Sequence, residues 1–397
     1  MVLMALVTLH EFGHFIMARR NGVRVLEFGI GFPPKAIAWV KDPETKKWRR
    51  LPKSEWKKPQ EGLVFSLNFL PIGGFCQMDG ESATDERKGT FGKANFWQKT
   101  KILFGGVMMN WLVAFVILTI LAWTGMPEFL DGQFTIPSDT RTEEVLVEVA
   151  KVASDSPAEK AGFLPGDFIV SVGDTNVVAV GDPDDVTEYN RAHAGGEAYY
   201  KILRRGEEGC NCDQNLELSA TLNGADADYL LGVSMSTEQK LMYSTWSAPI
   251  VGAGLTLQVT GETFKGLGVM LWNLISGVGS QFSPDEEVRD AGREAISEVG
   301  DSVSGPVGII GTLFPAFTAA GPTNLAFLAA IISISLACMN VLPIPALDGG
   351  RWFLIAIYKL RRKKLTKETE EKIVSRAFIV LLTLMFIVTV LDIIRLF

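Results

Sequence analysis

Val2-Leu3-Met4-Ala5-Leu6-Val7-Thr8-Leu9-His10-Glu11-Phe12-Gly13-His14-Phe15-Ile16-Met17-Ala18 is apolar except for Thr8 and one cluster of ionisable residues. His10 and His14 stand at i and i+4, so on a helix they share a face. Both imidazoles can then hold one divalent ion, with Glu11 placed to take a proton from an attacking water. Alone, the five-residue pattern also fits two helix histidines and a glutamate at an interface. Its setting favours the first reading, because ionisable groups in an apolar helix are expensive and mark function. No removable signal peptide is expected in this stretch, which shows neither a basic leader nor a cleavage site. Only nine residues precede His10, so this span is barely long enough, and the expectation is that residues are missing upstream.

Working outward, Ile102–Thr124 is a second uncharged apolar stretch, and Ala377–Phe397 is another until Asp392 and Arg395. Pro306–Leu347 carries no Asp, Glu, Lys or Arg; Pro315 and Pro322 interrupt its first half. The span there is expected at Leu325–Leu347, irregular from Pro343. Charge orients the four spans. Residues 19–101 hold 17 Lys and Arg against 9 Asp and Glu, whereas 125–324 hold 11 against 30, a difference of −19. Basic flanks stay in the cytoplasm, so the first loop and Arg361-Arg362-Lys363-Lys364 lie inside. The acidic middle and both termini lie outside. Gly266–Pro284 is also uncharged, but a fifth crossing would put the basic cluster outside. Ala248–Gly279 therefore reads as an amphipathic segment on the membrane surface or against the bundle.

The 397 residues average a mean hydropathy of +0.20 with 21% charged residues, a mosaic of apolar spans and polar blocks. Collagen-like, disordered and disulfide-stapled classes are excluded. A net charge of −7 implies no general nucleic-acid affinity. Nothing in the composition sets the oligomeric state.

A hydrolytic zinc site has three protein ligands and an open position. The third His of the chain, His193, lies in the acidic outer block, so the third ligand should be a carboxylate. Asp392, three residues before Arg395, reads as a surface ion-pair residue. Asp348 ends Asn340-Val341-Leu342-Pro343-Ile344-Pro345-Ala346-Leu347-Asp348 and precedes Gly349-Gly350, an acid on irregular backbone that must line a cavity. Both ligand sets fall near the inner side, the His pair just before Arg19 and Asp348 just before Arg351.

His10-Glu11-Phe12-Gly13-His14 in the first span with Asn340-x-x-Pro343-x-Pro345-x-Leu347-Asp348-Gly349 in a later one resembles the site-2 protease family. Val25-Leu26-Glu27-Phe28-Gly29-Ile30-Gly31-Phe32, Pro71-Ile72-Gly73-Gly74-Phe75-Cys76-Gln77-Met78-Asp79-Gly80-Glu81 and Ser304-Gly305-Pro306-Val307-Gly308-Ile309 are similar to segments of its bacterial RseP-like branch. The resemblance implies an intramembrane zinc endopeptidase of the bacterial cytoplasmic (inner) membrane. It implies His10, His14 and Asp348 as Zn2+ ligands, Glu11 as general base, and Asn340, Pro343, Gly73, Gly74 and Phe75 at the substrate. Asn340 would hold either the substrate or the third-span loop. Substrates would be transmembrane proteins such as an anti-sigma factor, or remnant signal peptides. The alternative is a catalytically silent membrane scaffold. One departure is Gly105-Gly106-Val107-Met108-Met109-Asn110 where the family often has Gly-Pro-x-x-Asn, so the turn before Asn110 is expected to be shaped differently.

The expected fold is a multi-pass α-helical membrane protein with four transmembrane segments, a membrane-associated β-loop and an extracytoplasmic PDZ-like α+β domain. Its parts are a first span at 1–20, a cytoplasmic-side loop at 21–100 with a membrane-reentrant β-loop at 62–81, and a second span at 101–125. The PDZ-like domain follows at 144–233, a connecting segment at 245–305, a third span region at 306–358 and a fourth span at 377–397. Within Val152–Val172 the punctuation predicts a strand, a short helix opened by Ser156-Pro157, and a strand after Gly166-Asp167. Tyr199–Gly206 and Asn215–Leu222 supply later strands. The domain either screens bulky substrates or recruits them, and some family members have two such domains. The β-loop edge around Phe65–Met78 either adds a substrate strand or closes the cavity as a structural hairpin. Cys210 and Cys212 are a strained disulfide, free thiols or intermolecular partners; Cys76 and Cys338 are packing residues. The basic stretch Trp39–Lys58 reads as a solvated or lipid-facing surface.

Overall fold

The computed structural model describes residues 2–56, 58–80, 85, 87–130, 132–142, 147–174, 177–180, 183–204, 214–227, 229–237, 241–283, 285–302, 305–319, 321–363 and 365–396. Cys210 and Cys212, with Glu81, Glu144, Arg205, Gly206, Ser304 and Lys364, lie outside them. The described chain divides into two units, 1–126 with 134–136 and 244–397, and 127–133 with 137–243.

In the first unit the leading apolar stretch forms α1 (Val2–Arg20), closed by Arg19 and Arg20 in its last turn, where cations suit the helix dipole. The chain then makes β1 (Val25–Lys41), β2 (Trp48–Arg50) and β3 (Val64–Met78), a sheet in the order β2-β1-β3. The two arms of β3 clasp one stretch of β1: Glu27 pairs with both Val64 and Gln77, and Phe28 with both Phe65 and Cys76. The expected 62–81 loop is therefore one long strand whose register depends on a partner about forty residues earlier. The base of the sheet packs through Phe28, Cys76 and Met78 onto Phe15 and Ala18 of α1. At its tip Phe69 and Ile72 are 67% and 70% exposed.

Helix α2 (Phe96–Thr124) starts six residues before the uncharged stretch, because Asn95 and Gln98 form a reciprocal capping box. It runs unbroken past Gly105 and Gly106, so the turn before Asn110 is ordinary α-helix.

The second unit is entered by β4 (Met126–Pro127) and β5 (Arg141–Thr142). It continues through β6 (Val147–Val152), α3 (Pro157–Ala161), β7 (Asp167–Val172), β8 (Val178–Ala179), α4 (Pro183–Ala192), β9 (Glu197–Arg204), β10 (Gln214–Thr221) and β11 (Val233–Thr237), and leaves by β12 (Leu241–Tyr243). The main sheet runs β10-β9-β7-β6-β11, with β8 on β7. Ser156 caps α3 by accepting from the Glu159 amide, and Gly162 ends it with φ of 90°, a conformation open to glycine. The strand–helix–strand expected from the punctuation is thus present; α4 and β11 were not foreseen. Val147, Val149, Ile169 and Ile202 form the core with Tyr200, whose hydroxyl donates to Asn190.

Back in the first unit, Ala248–Ser280 forms α5, followed by α6 (Glu286–Ser302). The first half of α5 packs against α2, with Gly252 on Thr119 and with Leu255 fully buried. Its second half exposes Val269, Leu271, Trp272 and Ile275. Next come α7 (Pro306–Gly308) and α8 (Phe314–Ala319), joined by a π turn. Then follow α9 (Pro322–Val341), α10 (Asp348–Leu360) and α11 (Lys367–Leu396). Pro322 begins α9 instead of breaking it, since the first turn has no need of the missing N–H. The helix spans Pro322–Val341, starting three residues before the expected Leu325–Leu347 and ending six before its end. Four described helices are long and apolar enough to cross a membrane: α1, α2, α9 and Lys367–Val390 of α11.

Two further expectations are corrected. Asp392 is not a surface ion-pair residue. It is 4% exposed and accepts the amides of Gly305 and Gly308, at 3.2 and 2.8 Å, next to the unsatisfied N–H groups that open α7. Asp348 does not sit on irregular backbone but is the first residue of α10. A Cβ on Gly349 or Gly350 would fall 2.1 Å from Val341 O or 1.9 Å from Ile344 O, so two glycines let the loop 342–347 fold directly onto the new helix.

Candidate metal centre

Three elements converge on one point. His10 and His14 lie on the same face of α1 and are 7% and 6% exposed, facing α2. This contact is close because glycine is on both sides: a Cβ on Gly13 would sit 2.2 Å from the Gly105 carbonyl, and one on Gly106 would sit 2.6 Å from the Nε2 atoms of both histidines. Helix α9 holds α2 from the other side through a Ser333 hydroxyl donated to the Asn110 carbonyl at 2.9 Å. Helix α10 is tied to α2 by Trp352 Nε1 donating to Thr100 Oγ1 at 2.9 Å, and it carries Asp348.

Asp348 Oδ2 is 3.1 Å from His10 Nε2 and 3.1 Å from His14 Nε2, and the two Nε2 atoms are 3.2 Å apart. Both rings are held at their other nitrogen. His14 Nδ1 donates to the Ile102 carbonyl at 2.8 Å, which fixes the proton there and turns the Nε2 lone pair inward. The Asn110 amide nitrogen lies 3.2 Å from His10 Nδ1, while its buried Oδ1 has no partner. Turning that amide over satisfies both atoms, with His10 Nδ1–H donating to Oδ1 and Nε2 again left as a lone pair. With both imidazoles neutral, three acceptor atoms face one another, an arrangement that a bound cation would satisfy. Tetrahedral ligands at 2.0–2.1 Å stand about 3.3 Å apart. The triangle is within about 0.2 Å of such a face, and two imidazoles with one carboxylate make a donor set that fits Zn2+.

Glu11 follows His10, and its carboxylate interacts electrostatically with His10, His14 and Asp348 while accepting the backbone amide of Cys76. The second arm of β3 is the outer arm of its sheet, and its Cys76 amide faces the glutamate. Gly73 and Gly74 press against Val7 and Thr8, just ahead of His10 on α1, and the Phe75 ring covers Gly29. Asn340 does not reach the triangle: its amide donates to Leu336 O of its own helix at 3.0 Å. Pro343 is exposed in the loop that leads to Asp348. His193 is in the other unit, bonded to Tyr189 O. Asn110 and Gly106 are the site residues that sequence reasoning did not assign. An Asn in an uncharged span and a paired glycine opposite the histidines were the available signals.

The sequence profile of peptidase family M50 matches residues 1–385. A Clostridium acetobutylicum protein, whose name places it provisionally among zinc metalloproteases, is 28% identical over 98% of this chain and 94% of its own length. Zinc metalloprotease RasP of Oceanobacillus iheyensis is 25% identical over 99% of this chain and 97% of its own. RasP of Shouchella clausii is 24% identical over the same shares. With the match running along nearly the whole sequence, and its two motifs meeting at one triangle of donors, the chain belongs to peptidase family M50, the site-2 proteases.

Proposed function

We propose that this membrane protein is a zinc endopeptidase that hydrolyses peptide bonds within or next to the transmembrane segments of other proteins. The observation that carries this reading is the triangle of His10 Nε2, His14 Nε2 and Asp348 Oδ2 on apolar helices, with Glu11 beside it. His10, His14 and Asp348 are the proposed zinc ligands, with Asn110 and the Ile102 carbonyl orienting the rings. When bound, zinc polarises the scissile carbonyl and lowers the pKa of its water toward about 7. Glu11 takes the proton of the attacking water and returns it to the leaving amine. A transmembrane helix hides its carbonyls, so the substrate must first be extended. The outer edge of β3, from Gly73 through Phe75, is the proposed surface on which it adds as a strand. The exposed apolar tip at Phe69 and Ile72 supports a sheet that dips into lipid. Asn340 and Pro343 would act through the loop leading to Asp348.

The charge asymmetry supports a bacterial cytoplasmic membrane, with residues 19–101 inside and the second unit and both termini outside. That unit reads as a PDZ-like filter which keeps large outer domains from the site. Deleting it should admit bulkier substrates, whereas simple loss of cleavage would favour recruitment. A silent scaffold is not favoured, since such a role needs neither Glu11 nor the three donors. Substrates are single-pass proteins already trimmed outside, such as an anti-sigma factor, or remnant signal peptides. In a strain carrying Glu11→Gln, short membrane-embedded fragments should accumulate; a membrane proteome unchanged from wild type would refute the proposal.

A further inference from the structure

At the basic end of α1 a cavity of about 640 Å³ opens between that helix and the turns of the sheet. Arg19, Arg24, Lys41 and Lys46 line it, against Asp42 and Glu61. None of the four cations is in an ion pair among the described residues. Arg24 donates to the carbonyls of Gln60 and Glu61, and Lys46 to the carbonyl of Pro43. Arg19 rests over the Phe15 ring, and Lys41 over Trp48. Asp42 is engaged elsewhere, accepting the amides of Glu44 and Thr45 at its own turn. The concavity is therefore a cationic pocket whose charges are held in place by carbonyls and rings.

Its depth is set by the chain. Arg19 and Arg20 close a helix that, outside Thr8 and the His10–His14 cluster, is apolar up to Ala18, which is where a span meets the headgroups. Trp48 and Trp39 on the neighbouring strands are 47% and 38% exposed, the placing of an interfacial aromatic belt. Arg guanidinium and Lys ammonium groups converging at that level suit one phosphate. We propose that this pocket binds the phosphate of an anionic phospholipid from the leaflet facing the basic loop. The lipid would hold the turns of the sheet against the end of the catalytic helix. The proposal rests on α1 being a membrane span.

The test is native mass spectrometry of the full chain released from nanodiscs of mixed phosphatidylglycerol and phosphatidylcholine. One phosphatidylglycerol adduct is expected to persist on the wild type. Arg24→Gln with Lys46→Gln should weaken its binding about 30-fold, two interfacial cations being lost. Lys265→Gln with Arg293→Gln, which removes the same charge from exposed helix positions 73% and 68% accessible, should leave it unchanged. Equal binding by the pocket variant, or equal retention of phosphatidylcholine, overturns the proposal. So does an inorganic phosphate adduct of equal occupancy in phosphatidylcholine discs, which would put the ligand in solution. Carbonate extraction of membranes from the cells that express the chain separates the two failures. A chain that is extracted refutes the membrane span itself, and one that stays integral without the adduct refutes only the lipid site.

Discussion

Replacing Gly106 by Ala adds one methyl group where α2 faces the histidines. That Cβ would lie 2.6 Å from His10 Nε2, His10 Cε1 and His14 Nε2. Ordinary contact begins near 3.4 Å, so rings or helices must part by about 0.8 Å. Neither ring swings away freely, because His14 is held by the Ile102 carbonyl and His10 by Asn110. Metal sites tolerate about ±0.2 Å in ligand distance, and a 1 Å misplacement costs on the order of 100-fold in rate. Gly106→Ala should therefore lose zinc under buffered free metal and cleave a transmembrane model substrate about 100-fold more slowly. Helix propensity alone acts the other way, since Ala favours a helix over Gly by about 1 kcal/mol. A control is Gly266→Ala on α5, where an added Cβ meets nothing within 4 Å. Zinc content, cleavage rate and thermal unfolding of the metal-free proteins are the readouts. A Gly106→Ala protein with full zinc and wild-type cleavage would refute the argument that close helix packing sets the donor triangle.

Asp348→Asn keeps the shape but removes the anionic donor, so zinc content and cleavage should fall together; retained stoichiometric zinc would exclude this residue as a ligand. Asn110→Ala deprives His10 of its orienting partner and should weaken zinc binding about 10–100-fold, read by competition with a chromogenic chelator. Phe69→Asp with Ile72→Asp charges the tip of the sheet, at about 2.5–3.5 kcal/mol per group if it lies deep in lipid. Cleavage should drop while zinc stays bound, and unaffected cleavage would remove the tip from the membrane.

The donors were legible because their logic is local or compositional. His10 and His14 share a helix face by spacing alone, and a chain with three His, one in a distant block, directs attention to an intramembrane carboxylate. The four apolar helices were legible for the same reason, since length and charge need no tertiary information. What escaped was set by long-range contact. The clasp of β1 by both arms of β3 joins Glu27 to Val64 and Gln77, a register that no window along the chain contains. Asp392 looked like half of an i,i+3 ion pair until backbone amides 84 and 87 residues earlier claimed it. Asp348 opens α10 because Gly349 and Gly350 let the loop touch the helix, a contact that the two prolines before it concealed. The role of Gly105 and Gly106 has the same origin: those glycines serve the approach of α2 to α1 within an unbroken helix.

The proposed chemistry has His10, His14 and Asp348 hold one zinc ion while Glu11 moves the proton. Elemental analysis of purified wild-type and Glu11→Gln protein, paired with cleavage of a transmembrane substrate by the same samples, tests it directly. One zinc per chain is expected in both proteins, with cleavage only by the wild type. Wild-type protein that cleaves without zinc, or a Glu11→Gln protein that cleaves at the wild-type rate, would contradict it.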